Sequence, residues 1–143
     1  MQVVGFNLIK ISAEREKARV TSKPSTGIEF TDIEKEKVEL LKDQEVVKIS
    51  FKYLITYGDT EKKKQKPQGE VLFEGDIALS VTKEEAKEIT KAWKKKQLPP
   101  GMNLNLFNVI LRRCTPKAIF LEDEINLPFH TPMPKLSPKP SDN

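Results

Sequence analysis

The residue types that build metal centres and covalent catalytic sites are almost missing from this sequence. It contains one cysteine, Cys114, and one histidine, His130. An internal disulfide needs two cysteines and a structural zinc site needs four Cys or His ligands, so this chain can form neither. Its six glycines are scattered and make no phosphate-binding loop. The sequence therefore predicts no metal site and no cofactor.

Paired catalytic side chains are also scarce, and the two candidate groups favour structural interpretations. Cys114 with His130 is the one nucleophile–base couple, but Cys114 lies in an apolar helical sequence and no third orienting group is evident. Glu122, Asp123 and Glu124 are consecutive, so on a helix they would point in different directions. Such a cluster is typical of a solvated helix end. We therefore predict that the protein is not an enzyme.

Long apolar runs are missing as well. A membrane helix needs roughly 18 or more apolar residues in succession, and Gly5, Asn7 and Lys10 interrupt the apolar stretch from Met1 to Ile11. That stretch also lacks the pattern of a secretory signal peptide, and a lone thiol is typical of a reducing compartment. We expect a soluble cytoplasmic protein without membrane insertion.

Charge is what the sequence has in excess. Charged residues make up 32% of the 143 residues, hydrophobic residues 37%, and the formal net charge is +4. Lys and Glu dominate, which is typical of hyperthermophile proteins, and a solvated mesophilic surface is the alternative explanation. The length suits one core. We predict a single α+β domain over residues 1–134 and a flexible Pro-rich tail over residues 135–143.

Alternation of apolar and polar residues with period two marks the strands. It is clearest in Val47–Tyr57 and Val71–Val81, where Gly75 takes an apolar position and indicates a bulge or a close approach. The lysine-rich segment from Gly58 to Gly69 joins these two strands into a long hairpin. Two weaker strands are predicted over Val4–Ile11 and Gly27–Leu41.

Helical periodicity replaces the alternation after Thr82. Thr82 and Glu85 have the spacing of a capping box. A second helix is predicted from Asn103 to Arg113, with Thr115–Pro116 as a kink or a new start and a last helical piece reaching Glu124. Strands followed by helices predict an α+β fold, in which a four-stranded antiparallel sheet is followed by two C-terminal helices packed on one face.

The last third of the chain, from Gly101 to Pro134, holds more apolar residues than one small sheet can cover. The prolines after Glu124 prevent a helix or an inner strand there. The apolar residues of Ile125–Pro134 must therefore lie against another surface. That surface belongs to the same fold, to a sister subunit or to a bound polypeptide.

The aromatic residues are the candidate binding groups. Four of them fit the core of the sheet, namely Phe51, Tyr53, Tyr57 and Phe73. Four others exceed what packing a helix on a sheet requires, namely Trp93, Phe107, Phe120 and Phe129. The excess aromatics could line a groove for an extended apolar peptide. An interface in a homo-oligomer is the alternative.

Two lysine clusters raise nucleic acid as a different kind of partner. The first cluster is Lys62, Lys63, Lys64 and Lys66 at the hairpin tip, and the second is Lys94–Lys96. Neither cluster alternates with aromatic residues, and neither comes with a recognised nucleic-acid-binding motif. Solvated loops are the favoured interpretation, and a basic nucleic-acid-binding module is the alternative.

Three segments resemble the SecB family, the holdase chaperones of protein export, including their shorter archaeal relatives. Phe6–Glu14 resembles the first strand of the family, and Val71–Leu79 with its glycine resembles the end of its hairpin of third and fourth strands. The sequence from Leu104 through Pro128 is similar to the long last helix and the Pro-rich exit of the family. The likeness covers nearly the whole chain.

The resemblance implies a four-stranded antiparallel sheet backed by two helices, and dimers that associate into tetramers. It also implies ATP-independent binding of unfolded polypeptide in long apolar grooves. By position it places Phe51, Tyr53, Phe73, Trp93 and Phe129 near such a groove, and the aromatic set adds Phe107 as a further candidate.

One departure from the family concerns the outward face of the sheet. Bacterial members dock the export motor through an acidic face, whereas this chain places Lys48 and Lys52 on the outward side of its best strand. The predicted function is therefore a holdase more than a partner of an export motor. The alternatives are the basic nucleic-acid-binding module and a structural homo-oligomer without a client.

Overall fold

A computed structural model describes residues 1–41, 44–58 and 67–138, with no side-chain description for residues 37–41. Within these residues the chain forms four strands and then two helices. The strands are β1 (Gln2–Arg15), β2 (Pro24–Leu41), β3 (Gln44–Tyr57) and β4 (Gly69–Thr82), and the helices are α1 (Lys83–Trp93) and α2 (Met102–Glu124). The predicted fold class is confirmed. Part of the predicted tail, residues 139–143, lies outside the described residues.

The sheet is antiparallel with the strand order β1-β4-β3-β2. The last three strands form a meander, and β1 adds to its far side, so β1 and β2 are the two edges. Residues 16–23 therefore cross one end of the sheet, over three strand spacings of about 4.8 Å each. Val20 anchors this crossover in the core, and the Gln68 side chain accepts hydrogen bonds from the backbone N–H groups of Thr21 and Ser22 at 3.1 and 3.2 Å.

The two faces of the sheet differ in polarity. Odd-numbered residues of β3, from Val47 to Tyr57, are buried on the face that carries both helices. The opposite face carries lysines and acidic residues together with apolar Leu54 and Leu72, and Lys48 Nζ lies 3.5 Å from Glu34 Oε2. The Glu34 carboxylate, with Asp76 as the next cause, raises the pKa of Lys48. This outward face is thus a lattice of opposite charges rather than a basic patch.

Helix α1 begins with the predicted capping box. The Glu85 N–H donates to Thr82 Oγ1 at 3.1 Å, and the Thr82 N–H donates to Glu85 Oε1 at 3.1 Å. Both bonds satisfy amide groups that the first turn of a helix leaves without partners. The bond from the Thr82 backbone lowers the pKa of Glu85, because it favours the carboxylate. Ala86 and Ile89 then face the sheet.

Helix α2 is continuous, and the prediction of a new helix start at Thr115–Pro116 is wrong. Pro116 is exposed, so the Arg112 carbonyl, which loses its helical N–H partner, lies on the solvent side. The buried residues recur at every fourth position and continue past the proline, as Met102, Leu106, Ile110, Cys114, Ala118 and Glu122. Burial of this row on both sides of Pro116 keeps the helix in one piece.

Gly75 confirms the close approach predicted for it. A Cβ at this position would collide with the carbonyl oxygen of Asn7 on β1. The register of β1 against β4 shifts between Leu8 and Lys10, next to this contact. Only glycine lets the irregular edge strand lie so near the β4 backbone.

Candidate functional site

Three of the predicted groove residues lie inside the core. Phe51, Tyr53 and Phe73 retain 1%, 0% and 0% of their exposed surface. The Tyr53 and Phe73 rings stack with centroids 5.9 Å apart on the face that the helices cover. A bound polypeptide would reach these rings only after α2 or the segment that follows it moved.

The other three predicted groove residues lie nearer the surface. Phe107 is half-buried and stacks on Phe30 of β2 at a centroid distance of 5.2 Å, which ties α2 to that edge strand. Trp93 is half-buried, and Lys96 Nζ lies 5.0 Å from its ring centroid. Phe129 is exposed. The six predicted residues therefore divide into a buried and an accessible group and do not form one lined groove in this conformation.

A set of exposed apolar side chains is the first functional candidate, and we call it the apolar surface. Its members lie on edge strand β1, on the outer side of α2 and beyond the end of α2. They are Val3, Val4, Ile9, Ile11, Leu104, Leu111, Phe120, Phe129, Met133 and Leu136. Ile9, Leu104 and Phe120 expose 71%, 65% and 61% of their surface. Contiguous patches of exposed apolar side chains are typical of surfaces that bind other polypeptides, whereas single exposed apolar residues are common on any protein.

A buried polar cluster at the end of α2 is the second candidate, and the sequence analysis missed it. Glu122 was predicted to lie at a solvated helix end, but it is fully buried. Tyr57 of β3 donates its hydroxyl hydrogen to Glu122, and the Pro128 carbonyl lies within reach of the same hydroxyl. His130 Nδ1 lies 2.9 Å from Glu122 Oε1, and the His130 backbone N–H donates to Glu122 Oε2 at 3.2 Å. We call Tyr57, Glu122 and His130 the clasp.

Burial sets the electrostatics around the clasp. Burial, followed by the hydrogen bond to Glu122, raises the pKa of Tyr57 well above its ordinary value, because both disfavour a phenolate. Burial also raises the pKa of Tyr53 to about 12. The Tyr53 hydroxyl has no hydrogen-bond partner among the described residues, and its ring meets the His130 imidazole edge-on at 6.5 Å.

The chain that follows α2, residues 125–138, is called the exit segment, and the clasp fixes its first part through Pro128 and His130. Leu127 of this segment is 4% exposed and packs over Gly69 at the start of β4. A Cβ at Gly69 would lie 2.6 Å from Leu127 Cδ2, so the absence of a side chain creates the space that Leu127 fills. An open cleft of about 430 Å³ runs between the exit segment and the crossover, lined in part by Arg15 and Arg19.

One signal in the sequence could have revealed the clasp. Glu122 continues the row of every fourth residue that contains Leu106, Ile110, Cys114 and Ala118. A carboxylate in the sixth place of a buried row requires donors, and the single histidine follows eight residues later. Asp123 and Glu124 beside Glu122 are exposed, and this cluster of charges led to the prediction that Glu122 is solvated as well.

The remaining predicted binding groups receive no support from the described residues. Lys62, Lys63, Lys64 and Lys66 lie outside them. Within the described ranges, neither helix has the length and hydropathy needed to cross a bilayer. In the same ranges, no group of three or more His, Cys, Asp or Glu side chains is arranged to hold a metal ion.

No family model matches the sequence, and no curated protein matches it. Among solved structures, the chain is similar to the SecB-like chaperone Rv1957 of Mycobacterium tuberculosis, which was solved in complex with a ChAD peptide from the antitoxin HigA1. The match covers 96% of this chain and 91% of that one, with 15% identity and a TM-score of 0.47.

Proposed function

We propose that this protein is an ATP-independent holdase chaperone, which binds unfolded or non-native polypeptide through the apolar surface and acts as a homo-oligomer in the cytoplasm. The observation that carries the proposal is the exposure of apolar side chains along an open sheet edge and the neighbouring helix. Ile9 is the most exposed apolar residue of β1, and Leu104 and Phe120 are the two most exposed apolar residues of α2.

Strand β1 supports the proposal because it is an edge. It pairs with β4 on one side and with no other described strand. Soluble proteins usually protect such an edge with charges, prolines, bulges or a covering element, since it can pair with another chain. Two register shifts interrupt β1, but Val3, Val4, Ile9 and Ile11 still leave apolar side chains beside the unpaired backbone groups of its outer side. An extended polypeptide can use both features at once, through added strand pairing and apolar contact.

The charge pattern of the outer sheet face favours a holdase over docking to an export motor. Lys48 is paired with Glu34 there, and Lys52 stands opposite Glu29 in the register of β2 and β3. Paired charges of both signs provide no acidic surface of the kind that the bacterial members use. We therefore place client binding on the opposite side of the molecule, at α2, β1 and the exit segment.

The test measures binding to a permanently unfolded client, reduced and carboxymethylated α-lactalbumin, and suppression of aggregation of a denatured model enzyme. The protein should slow aggregation and bind the unfolded chain in preference to native α-lactalbumin. Phe120→Ser should weaken binding about fivefold or more, whereas Lys117→Ser, three residues away on the exposed side of α2, is the matched control and should leave it unchanged. Equal binding of folded and unfolded chains would remove the proposal.

A structural homo-oligomer without a client is the second candidate, and the open β1 edge favours it equally. Ile9→Asn should then lower the oligomer mass in analytical ultracentrifugation, while the wild-type protein shows no affinity for unfolded α-lactalbumin. Client binding together with a stable oligomer would support the holdase instead.

A further inference from the structure

The exit segment lies in a slot that is shaped for it. Leu127 fills the space above Gly69, where any Cβ would collide with it, and becomes nearly as buried as a core residue. The Leu127 N–H donates to the Glu122 carbonyl at 2.8 Å, which turns the chain out of α2. Asn126, immediately before it, adopts a positive φ of 56°. The backbone thus changes direction sharply, and this turn places the Leu127 side chain in the space above Gly69, which we call the notch.

A second attachment point lies three residues further along. The buried Glu122 carboxylate accepts hydrogen bonds from the His130 backbone and from Tyr57, and its oxygens lie 2.9 and 3.1 Å from His130 Nδ1. A buried carboxylate without donors is strongly unfavourable, so this group requires what the exit segment supplies. The slot therefore recognises an apolar side chain and, three positions later, a group that donates hydrogen bonds.

Between and beyond these two points the exit segment is open to solvent. Phe129 is 39% exposed and Pro128 is exposed, although Leu127 before them and His130 after them are anchored. The cleft of about 430 Å³ between the exit segment and the crossover leaves one flank of the segment accessible. From Pro132 to Pro138 every residue is exposed. Release of residues 125–131 therefore breaks contacts at two points, the Leu127 side chain above Gly69 and the hydrogen bonds that Tyr57 and Glu122 make with residues 128–130.

We propose that residues 125–131 are a releasable strap, and that the slot formed by Gly69, Tyr57 and Glu122 is a binding site for an extended polypeptide. Its ligand is a segment with a leucine-sized apolar residue followed three positions later by a histidine or another hydrogen-bond donor. In the closed state the chain occupies its own site. The apparent affinity for such a segment is therefore the affinity of the open site multiplied by the fraction of molecules that are open. This proposal rests on the proposed function in one respect, which is that the ligand is a client polypeptide.

The test uses a fluorescent peptide with the sequence of residues 125–132 and the full-length protein. In Leu127→Ala/His130→Ala both anchors are lost while the slot remains, so this variant should bind the peptide at least tenfold more tightly than the wild type. Adding Gly69→Ala should abolish the gain, because the new Cβ fills the notch. Adding Gly27→Ala instead is the matched control, since a Cβ at Gly27 has nothing within 4 Å. Peptides with Ala in place of the Leu or the His should bind weakly to every variant.

A second measurement needs no variant. The backbone N–H groups of Leu127 and His130 should exchange with solvent deuterium several-fold faster in the presence of saturating peptide than in the presence of a scrambled peptide, because the peptide displaces the strap. An unchanged exchange rate, or a double variant that folds and gains no affinity, overturns the strap. If unfolded α-lactalbumin still binds the wild type in that case, the holdase stands without it. If the peptide gains affinity and α-lactalbumin does not bind, the slot stands and the holdase fails.

Discussion

Replacing Leu106 by alanine tests how α2 packs on the sheet, and Leu104 on the same helix provides the control. Leu106 has no exposed surface, whereas Leu104 exposes 65% of its own. Leu106→Ala removes three carbon atoms from the core, which costs about 2.4 kcal/mol in transfer free energy at about 0.8 kcal/mol each. The cavity that remains adds about 1 kcal/mol, so we expect a loss of about 3–4 kcal/mol. Leu104→Ala should cost less than about 1 kcal/mol.

The measurement is urea unfolding followed by circular dichroism, at a protein concentration low enough to disfavour association. The slope of the unfolding free energy against urea should stay constant, so that the midpoint alone reports the change. Equal losses for the two variants would refute the assignment of Leu104 to the solvent side of α2. A loss below about 1 kcal/mol for Leu106→Ala would refute the close packing of the helix on the core.

Three further predictions concern local features. Pro116→Ala should raise the free energy of unfolding by about 1–3 kcal/mol in the same assay, because the proline lies within a continuous helix; destabilisation would mean that the proline serves the native structure. Thr82→Ala should cost about 1 kcal/mol. Glu85→Gln should destabilise at neutral pH, and the difference from the wild type should disappear as pH falls through the lowered pKa of Glu85, since the carboxylate contributes only while it is ionised; a difference that persists in acid would contradict the capping box. Burial raises the pKa of the Cys114 thiol from 9.0 to about 11, so iodoacetamide should alkylate the folded protein at pH 8 roughly 100-fold or more slowly than the urea-unfolded protein; similar rates would show that the thiol is accessible.

Local sequence patterns predicted those parts of the fold that depend on residues close together in the chain. The alternation in β3 reports which side chains face the core, because successive residues of a strand point to opposite faces. Thr82 and Glu85 contact each other across one helical turn, so their spacing was sufficient to predict the start of α1. Neither inference required knowledge of any distant residue.

Some predictions failed because they depend on distant residues. Thr115–Pro116 was predicted to be a kink or a new helix start, and the new start is wrong because the row from Leu106 to Glu122 is buried on both sides of Pro116. Phe51 and Phe73 fit the sheet core by their alternation, but the sequence does not distinguish a ring that stays buried from one that lines a groove, because both environments favour aromatic residues in strands. Glu122 was assigned to solvent from its acidic neighbours, whereas its donors come from β3 and from the exit segment.

The sequence by itself determined the number and type of the elements and the polarity of each strand face, because hydrophobic periodicity and capping act within a few residues. The tertiary structure decided which strand became the open edge, since strand order depends on the crossover path of residues 16–23 and the anchoring of Val20. It also decided that Leu127 and His130 close onto Gly69 and Glu122. Those contacts join residues 58 and 8 positions apart in the chain, and such pairings arise only when the sheet and α2 bring their partners together.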